Sequence, residues 1–279
     1  MKDPIEKITE AALSIACRSR DQFIYALYLA TSMEDLCACY FKYINDTGTR
    51  NEIVRHIKIK KDKKGEVIPN AFLGQVLSEF KTSDKNRRVW LGTTLKELQE
   101  DLTSDQLEEF IECQVLSERV LDRKRAYVVA TRKYDEKTDG LLWKSWNKYN
   151  DNNCMSVLAD NTDVRKLAEN FELIWNSENI KFYIKNNVLK RVAKFDFNKV
   201  SFLEKEKPIS YLSACVASEK QITDEEAISI VKSSDSIGSL GYCLWCLGML
   251  GKHNALYQIL GDITKIEENL PTAFWEYMY

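Results

Sequence analysis

Ile180-Lys181-Phe182-Tyr183-Ile184-Lys185 sets Ile180, Phe182 and Ile184 in strict alternation with residues suited to the other face, the period of a half-buried strand. Asn186-Asn187 follows, a dipeptide that tolerates the positive φ of a tight turn, and Val188 to Phe197 supplies a return strand. The segment therefore predicts a β-hairpin, and it decides the expected fold by requiring a sheet. Upstream, Cys154-Met155-Ser156-Val157-Leu158 and Ala126-Tyr127-Val128-Val129-Ala130 read as buried strands, with a short aromatic helix over Leu141 to Tyr149 between them.

Further toward the amino end, Arg87-Arg88-Val89-Trp90-Leu91 reads as a strand stopped by Gly92, and Thr94 with Glu97 forms a helix-starting capping box. Ile53, Ile57 and Ile59 lead into Lys60-Lys61-Asp62-Lys63-Lys64-Gly65 and then Glu66-Val67-Ile68, a second expected hairpin. Helices are expected from Asn70 to Phe80 and, with an acidic outer face, across Lys96 to Arg119. Apolar residues at 3- and 4-residue spacing (Ile5, Ile8, Ala12, Ile15) and a cap at Ser32 make the amino end helical up to Asp46-Thr47-Gly48. Thr223 with Glu226 opens a helical carboxy-terminal region. The expected fold is α+β: a helical layer over 1–48, a central region over 49–212 built on a mainly antiparallel sheet with hairpins and packed helices, and a helical region over 213–279, together one compact unit.

Composition narrows the class. The 279 residues are 44% hydrophobic and 29% charged, the balance of a globular chain large enough to fold without disulfide or metal staples. Forty Lys and Arg against 42 Asp and Glu leave a net charge of −2, which favours neither nucleic acid nor an anionic membrane. Acidic residues among Met1-Lys2-Asp3-Pro4-Ile5-Glu6 argue against a secretion signal, and the longest uncharged run, Ser236 to Gly251, falls short of the ~20 apolar residues of a membrane span and reads as a buried helix. Most of the eight cysteines (17, 37, 39, 113, 154, 215, 243 and 246) sit among apolar residues, as expected of reduced thiols in a cytoplasmic protein.

Several segments could carry chemistry. Cys243-Leu244-Trp245-Cys246 has the spacing of a metal or redox pair, but only His253 stands near it and no second CxxC occurs, so packing is the expected role and no metal is predicted. Lys181, Lys185, Lys190, Arg191 and Lys194, interleaved with Phe182, Tyr183 and Phe195, could track a phosphate backbone; a solvated lysine face accounts for the same residues. The acidic run from Glu97 to Glu112 reads as a solvated exterior. Phosphate-cradling glycine loops and a GxSxG nucleophile motif are absent.

The stretch from Tyr127 through Asp139, Trp143 and Trp146-Asn147-Lys148-Tyr149 to Val157-Leu158 resembles a bacterial family of unknown function marked by an acidic residue, a Trp-x-x-Tyr helix and flanking strands. The Asn-Asp-Pro and Glu-x-Glu-x-Arg elements of that family have no counterpart here. Under this resemblance Trp90, Asp139, Trp143, Trp146 and Tyr149 are candidate ligand-binding residues, with hydrophobic core as the plainer role of the rings. Val89-Trp90-Leu91-Gly92-Thr93 also resembles the NAD-gripping strand of ADP-ribosyltransferases, which adds Thr93 to the candidates, although Leu91 stands where those enzymes carry His or Arg. The resemblances and the Lys-, Asn- and Ile-rich composition point to a cytoplasmic bacterial protein that acts through protein contacts, as an accessory or defence-associated (antiviral) component without a cofactor. The alternatives are an NAD-dependent transferase and a nucleic-acid-binding module.

Overall fold

The computed structural model describes residues 2–15, 18–233 and 237–266, and among them the chain forms helices and no strand. The chain divides into two compact units, Met1–Ser145 and Trp146–Tyr279. The first unit contains α1 (Pro4–Ser14), α2 (Arg20–Ala30), α3 (Met33–Lys42), α4 (Thr47–Lys64), α5 (Asn70–Thr82), α6 (Lys85–Glu97), α7 (Ser104–Val115) and α8 (Val120–Ala130). The long α9 (Glu136–Tyr149) carries the chain from one unit to the next. The second contains α10 (Asn152–Asn161), α11 (Val164–Glu169), α12 (Phe171–Asn176), α13 (Phe182–Phe195), α14 (Leu203–Glu206), α15 (Pro208–Ser218), α16 (Asp224–Lys232), α17 (Ile237–Met249) and α18 (His253–Ile266).

The expected α+β fold is overturned: no sheet or hairpin forms among the described residues, and each expected strand lies in or against a helix. The decisive case is 180–197. Within α13 the buried side chains are Ile184, Val188, Leu189, Val192 and Ala193, spaced by four, one, three and one, a helical stripe rather than a strand alternation. Ile180 is buried before the helix starts, whereas Phe182 is 65% exposed, so the apparent two-residue period is fortuitous. Asn186 and Asn187 do not turn the chain. Ser213 Oγ donates to Asn186 Oδ1 at 3.2 Å and Asn187 Nδ2 donates to Asp160 Oδ1 at 2.6 Å, so partners on neighbouring helices occupy the side chains that would otherwise compete for backbone groups.

The same correction applies elsewhere. Asp46, expected to close a helix, starts α4 by accepting from the N–H groups of Gly48 and Thr49 at 3.0 and 3.3 Å. The lysine run that resembled a hairpin turn is the last turn of α4, where cations meet the negative end of the helix, and Gly65 closes it at φ 67° with its N–H on Lys61 O. Asp84 caps α6 through the N–H groups of Asn86 and Arg87, which makes 87–91 helical and puts Leu91, Thr94 and Leu95 on one buried face. Residues 126–130 are the end of α8, and Cys154 to Leu158 lie in α10, begun by Asp151 accepting from Asn153 N–H. Helical expectations fared better in part: Ser32 caps α3, the Thr223–Glu226 capping box opens α16, and the aromatic helix at 141–149 is the second half of α9, whereas Thr94 and Glu97 start no helix but end α6, with the Thr94 hydroxyl accepting from Tyr40.

Candidate functional site

Trp90 and Thr93, on α6, line a cleft of about 480 Å³ whose opposite wall is α4. The Arg50 guanidinium, nearly fully buried, lies over the Trp90 ring at 4.8 Å and donates to Ile44 O at 2.8 Å. Thr93 Oγ1 donates to Val89 O and accepts from Arg125 Nη2, both at 2.9 Å, so its hydroxyl is already engaged. The segment 89–93 is helical, and the strand on which the NAD resemblance rested is absent. The lining of this cleft includes neither Asp139 nor Trp143. Trp143 and Trp146 are 9% and 3% exposed, Asp139 is buried and accepts from the Tyr134 hydroxyl, and Tyr149 is half-buried with Lys148 over its ring at 4.8 Å.

The basic residues of α13 and its N-cap Lys181 differ in their surroundings. Arg191 is structural: its guanidinium donates to Ala159 O and, at 2.7 Å, to Thr162 O, satisfying carbonyls at the end of α10. Lys185 is half-buried, and burial lowers its pKa. Lys181, Lys190 and Lys194 are exposed.

The seven described cysteines form no disulfide, and Cys17 lies outside the described residues. Cys243 and Cys246 are both buried on α17, where burial pushes the Cys246 thiol up to about 12; His253 is exposed. At neutral pH such a thiol is overwhelmingly protonated in the metal-free protein, which makes it a poor nucleophile. Among the described residues no group of His, Cys, Asp and Glu is placed to hold a metal ion.

Two features escaped the sequence reading. His56 is buried and stacked on Tyr28 at 4.5 Å; its Nδ1 hydrogen-bonds Glu52 O at 2.8 Å, and its Nε2 has no hydrogen-bond partner among the described residues. Because a carbonyl oxygen accepts, Nδ1 carries the proton of this hydrogen bond, and burial lowers the ring's pKa. The second is the outward face of α17. Expected to be buried throughout, this helix hides Cys243, Cys246 and Leu247 but leaves Trp245 53% and Met249 61% exposed. Tyr242 stacks on Trp245 at 5.9 Å and is anchored by its hydroxyl donating to Ser213 Oγ at 2.9 Å. Residues 242, 245 and 249 fall at i, i+3 and i+7 and form one stripe. On α18, which packs against α17, Tyr257 and Leu260 are 75% and 41% exposed. Among the described residues no helix is long and apolar enough to cross a membrane. No family model, curated protein or solved structure matches the chain.

Proposed function

We propose that the protein acts through protein contacts, using the outward face of α17 with the exposed residues of α18 to bind the apolar surface of a protein partner. The observation that carries this reading is Trp245: a ring more than half exposed, pre-positioned by stacking on an anchored Tyr242, with Met249 one turn further on. Aromatic residues and Met at the centre of a patch are the composition of interface hot spots, and a ring already held in place loses little side-chain entropy on binding. The sequence of α17, Ile237 to Met249, carries no charge, so apolar complementarity is the relevant chemistry.

The test is to purify the tagged chain from its native cell as wild type, Trp245→Asp and the double variant Lys190→Gln/Lys194→Gln, with stability followed in parallel. Trp245→Asp should melt like wild type and lose a stoichiometric protein partner that the lysine variant retains. Retention of every partner by Trp245→Asp would refute the reading, as would a marked fall in its melting temperature, which would make Trp245 part of the core.

A further inference from the structure

In the first unit, a cleft of about 540 Å³ opens where the first turn of α6, the end of α7 and the start of α8 meet. Lys85 and Arg88, three residues apart on α6, share a helix face, and Arg119 immediately precedes α8. Arg119 Nη1 donates to Lys85 O at 3.3 Å and ties the two helix starts together. Arg88 lies over the Phe80 ring at 4.7 Å and donates from Nη2 to Cys113 O at 3.1 Å, so its guanidinium is held in place before any ligand arrives. All three cations line the cleft.

Its two carboxylates are taken up by cations and hydroxyls of the fold. Glu112 is paired with Lys137 at 2.5 Å. Asp122 accepts from Arg125 Nη1 at 3.3 Å and from Ser117 Oγ at 3.1 Å, and lies 4.0 Å from Arg119. Lys85 and Arg88 form no ion pair among the described residues. Three cations against two carboxylates, both already paired, leave the balance in the cleft positive. Convergent cations repel one another, and an anion between them converts that repulsion into attraction. Leu116, 39% exposed, supplies an apolar wall, and the volume is in the range of small-molecule sites.

We propose that this cleft binds a phosphorylated small molecule. The phosphoryl group sits among the charges of Lys85, Arg88 and Arg119, and the organic body lies against Leu116. The site is independent of the α17 face.

Calorimetric titration at about 0.15 M salt with phenyl phosphate, inorganic phosphate and phenol tests it. Phenyl phosphate should saturate one site, inorganic phosphate should bind that site more weakly, and phenol should not bind. Lys85→Gln and Arg119→Gln should each weaken phenyl phosphate about tenfold, the loss of one charged hydrogen bond. Lys85→Gln leaves the Arg88–Phe80 contact in place, which guards against misfolding as the cause. Glu112→Gln should tighten binding, and the surface control Lys190→Gln/Lys194→Gln should leave it unchanged. The proposal is overturned by an absence of saturable binding at millimolar phenyl phosphate, by wild-type affinity in both cleft variants, or by an equal loss in the surface control. Much tighter, steeply salt-dependent binding of a single-stranded oligonucleotide, lost in the cleft variants, would also overturn it in favour of a polyanion site.

Discussion

Gly92 tests the packing of the first unit most sharply. A Cβ at this position would stand 3.0 Å from Phe80 Cε2 and 3.2 Å from Arg125 Nη1. Neither neighbour can yield easily. Phe80 is fully buried between Phe110 at 5.5 Å and the Arg88 cation, and Arg125 is buried with hydrogen bonds to Asp122 and Thr93. Alanine in place of a mid-helix glycine would by itself stabilise by about 1 kcal/mol. Overpacking costs about 1–3 kcal/mol, and weakening the Arg125 hydrogen bonds, which carry charge, costs about 1.5–3 kcal/mol more if the guanidinium is displaced. With Arg125 displaced, Gly92→Ala should therefore destabilise by about 1.5–5 kcal/mol net, a drop of roughly 2–4 °C in Tm for each kcal/mol in a unit of this size. Gly74→Ala, on α5, is the matched control: its Cβ would meet only Gln106 Nε2, at 3.8 Å, so the helix preference should prevail and raise stability by about 0.5–1 kcal/mol. Urea unfolding followed by far-UV circular dichroism measures both. A Gly92→Ala midpoint at or above wild type, or equal losses in the two variants, would refute the close approach of α6 to Phe80 and Arg125.

Three further outcomes follow from buried groups. Trp143→Ala should cost about 3–5 kcal/mol, because the ring is 9% exposed; an unshifted melt would place it outside the core. His56 has a folded pKa below the ordinary value of about 6.5, so it contributes stability above that pH that is lost as pH falls through the folded pKa. Burial is the main cause, and the Glu52 carboxylate, 3.6 Å from Nδ1, only partly offsets it. His56→Phe should flatten the dependence of the urea midpoint as pH falls below about 6.5, and an unchanged slope would contradict this assignment. Native alkylation at about pH 8 followed by mass spectrometry should label the half-buried Cys113 well before Cys246, whose thiol is pushed up to about 12; the reverse order would show that α17 opens readily.

Much of the helix punctuation was legible in the sequence. Ser32, Thr223 and Glu226 act at caps because a side-chain oxygen three residues ahead of an orphan N–H is a local device that needs no tertiary partner. The sheet was misread because short apolar runs rich in Val, Ile and Tyr suit a buried helix as well as a strand, and the choice is made by packing. In α13 the helical signal lay in Ile184, Val188 and Val192, a period of four that the alternation of Ile180, Phe182 and Ile184 masked. Asp46 and Asp84 are of a residue type that caps helices, but their effect depends on whether the following lysines and arginines end a helix or turn a hairpin. The candidate sites were less legible still. Lys85, Arg88 and Arg119 come together only through the packing of α6 and α8, and nothing in a one-dimensional pattern distinguishes Trp245, on the solvent side of α17, from the buried Leu247 two residues later.

Contact between the α17 face and a protein partner is tested most directly by photo-crosslinking in the native cell, with a benzophenone amino acid placed singly at positions 245, 257 and 190. Discrete crosslinked products are expected from 245 and 257, with mass spectrometry of the joined peptides showing whether the partner is a second copy of the chain or another protein, while position 190 on α13 stays uncrosslinked. A chain that remains uncrosslinked at 245 and 257, or that crosslinks equally at 190, would contradict this role for α17.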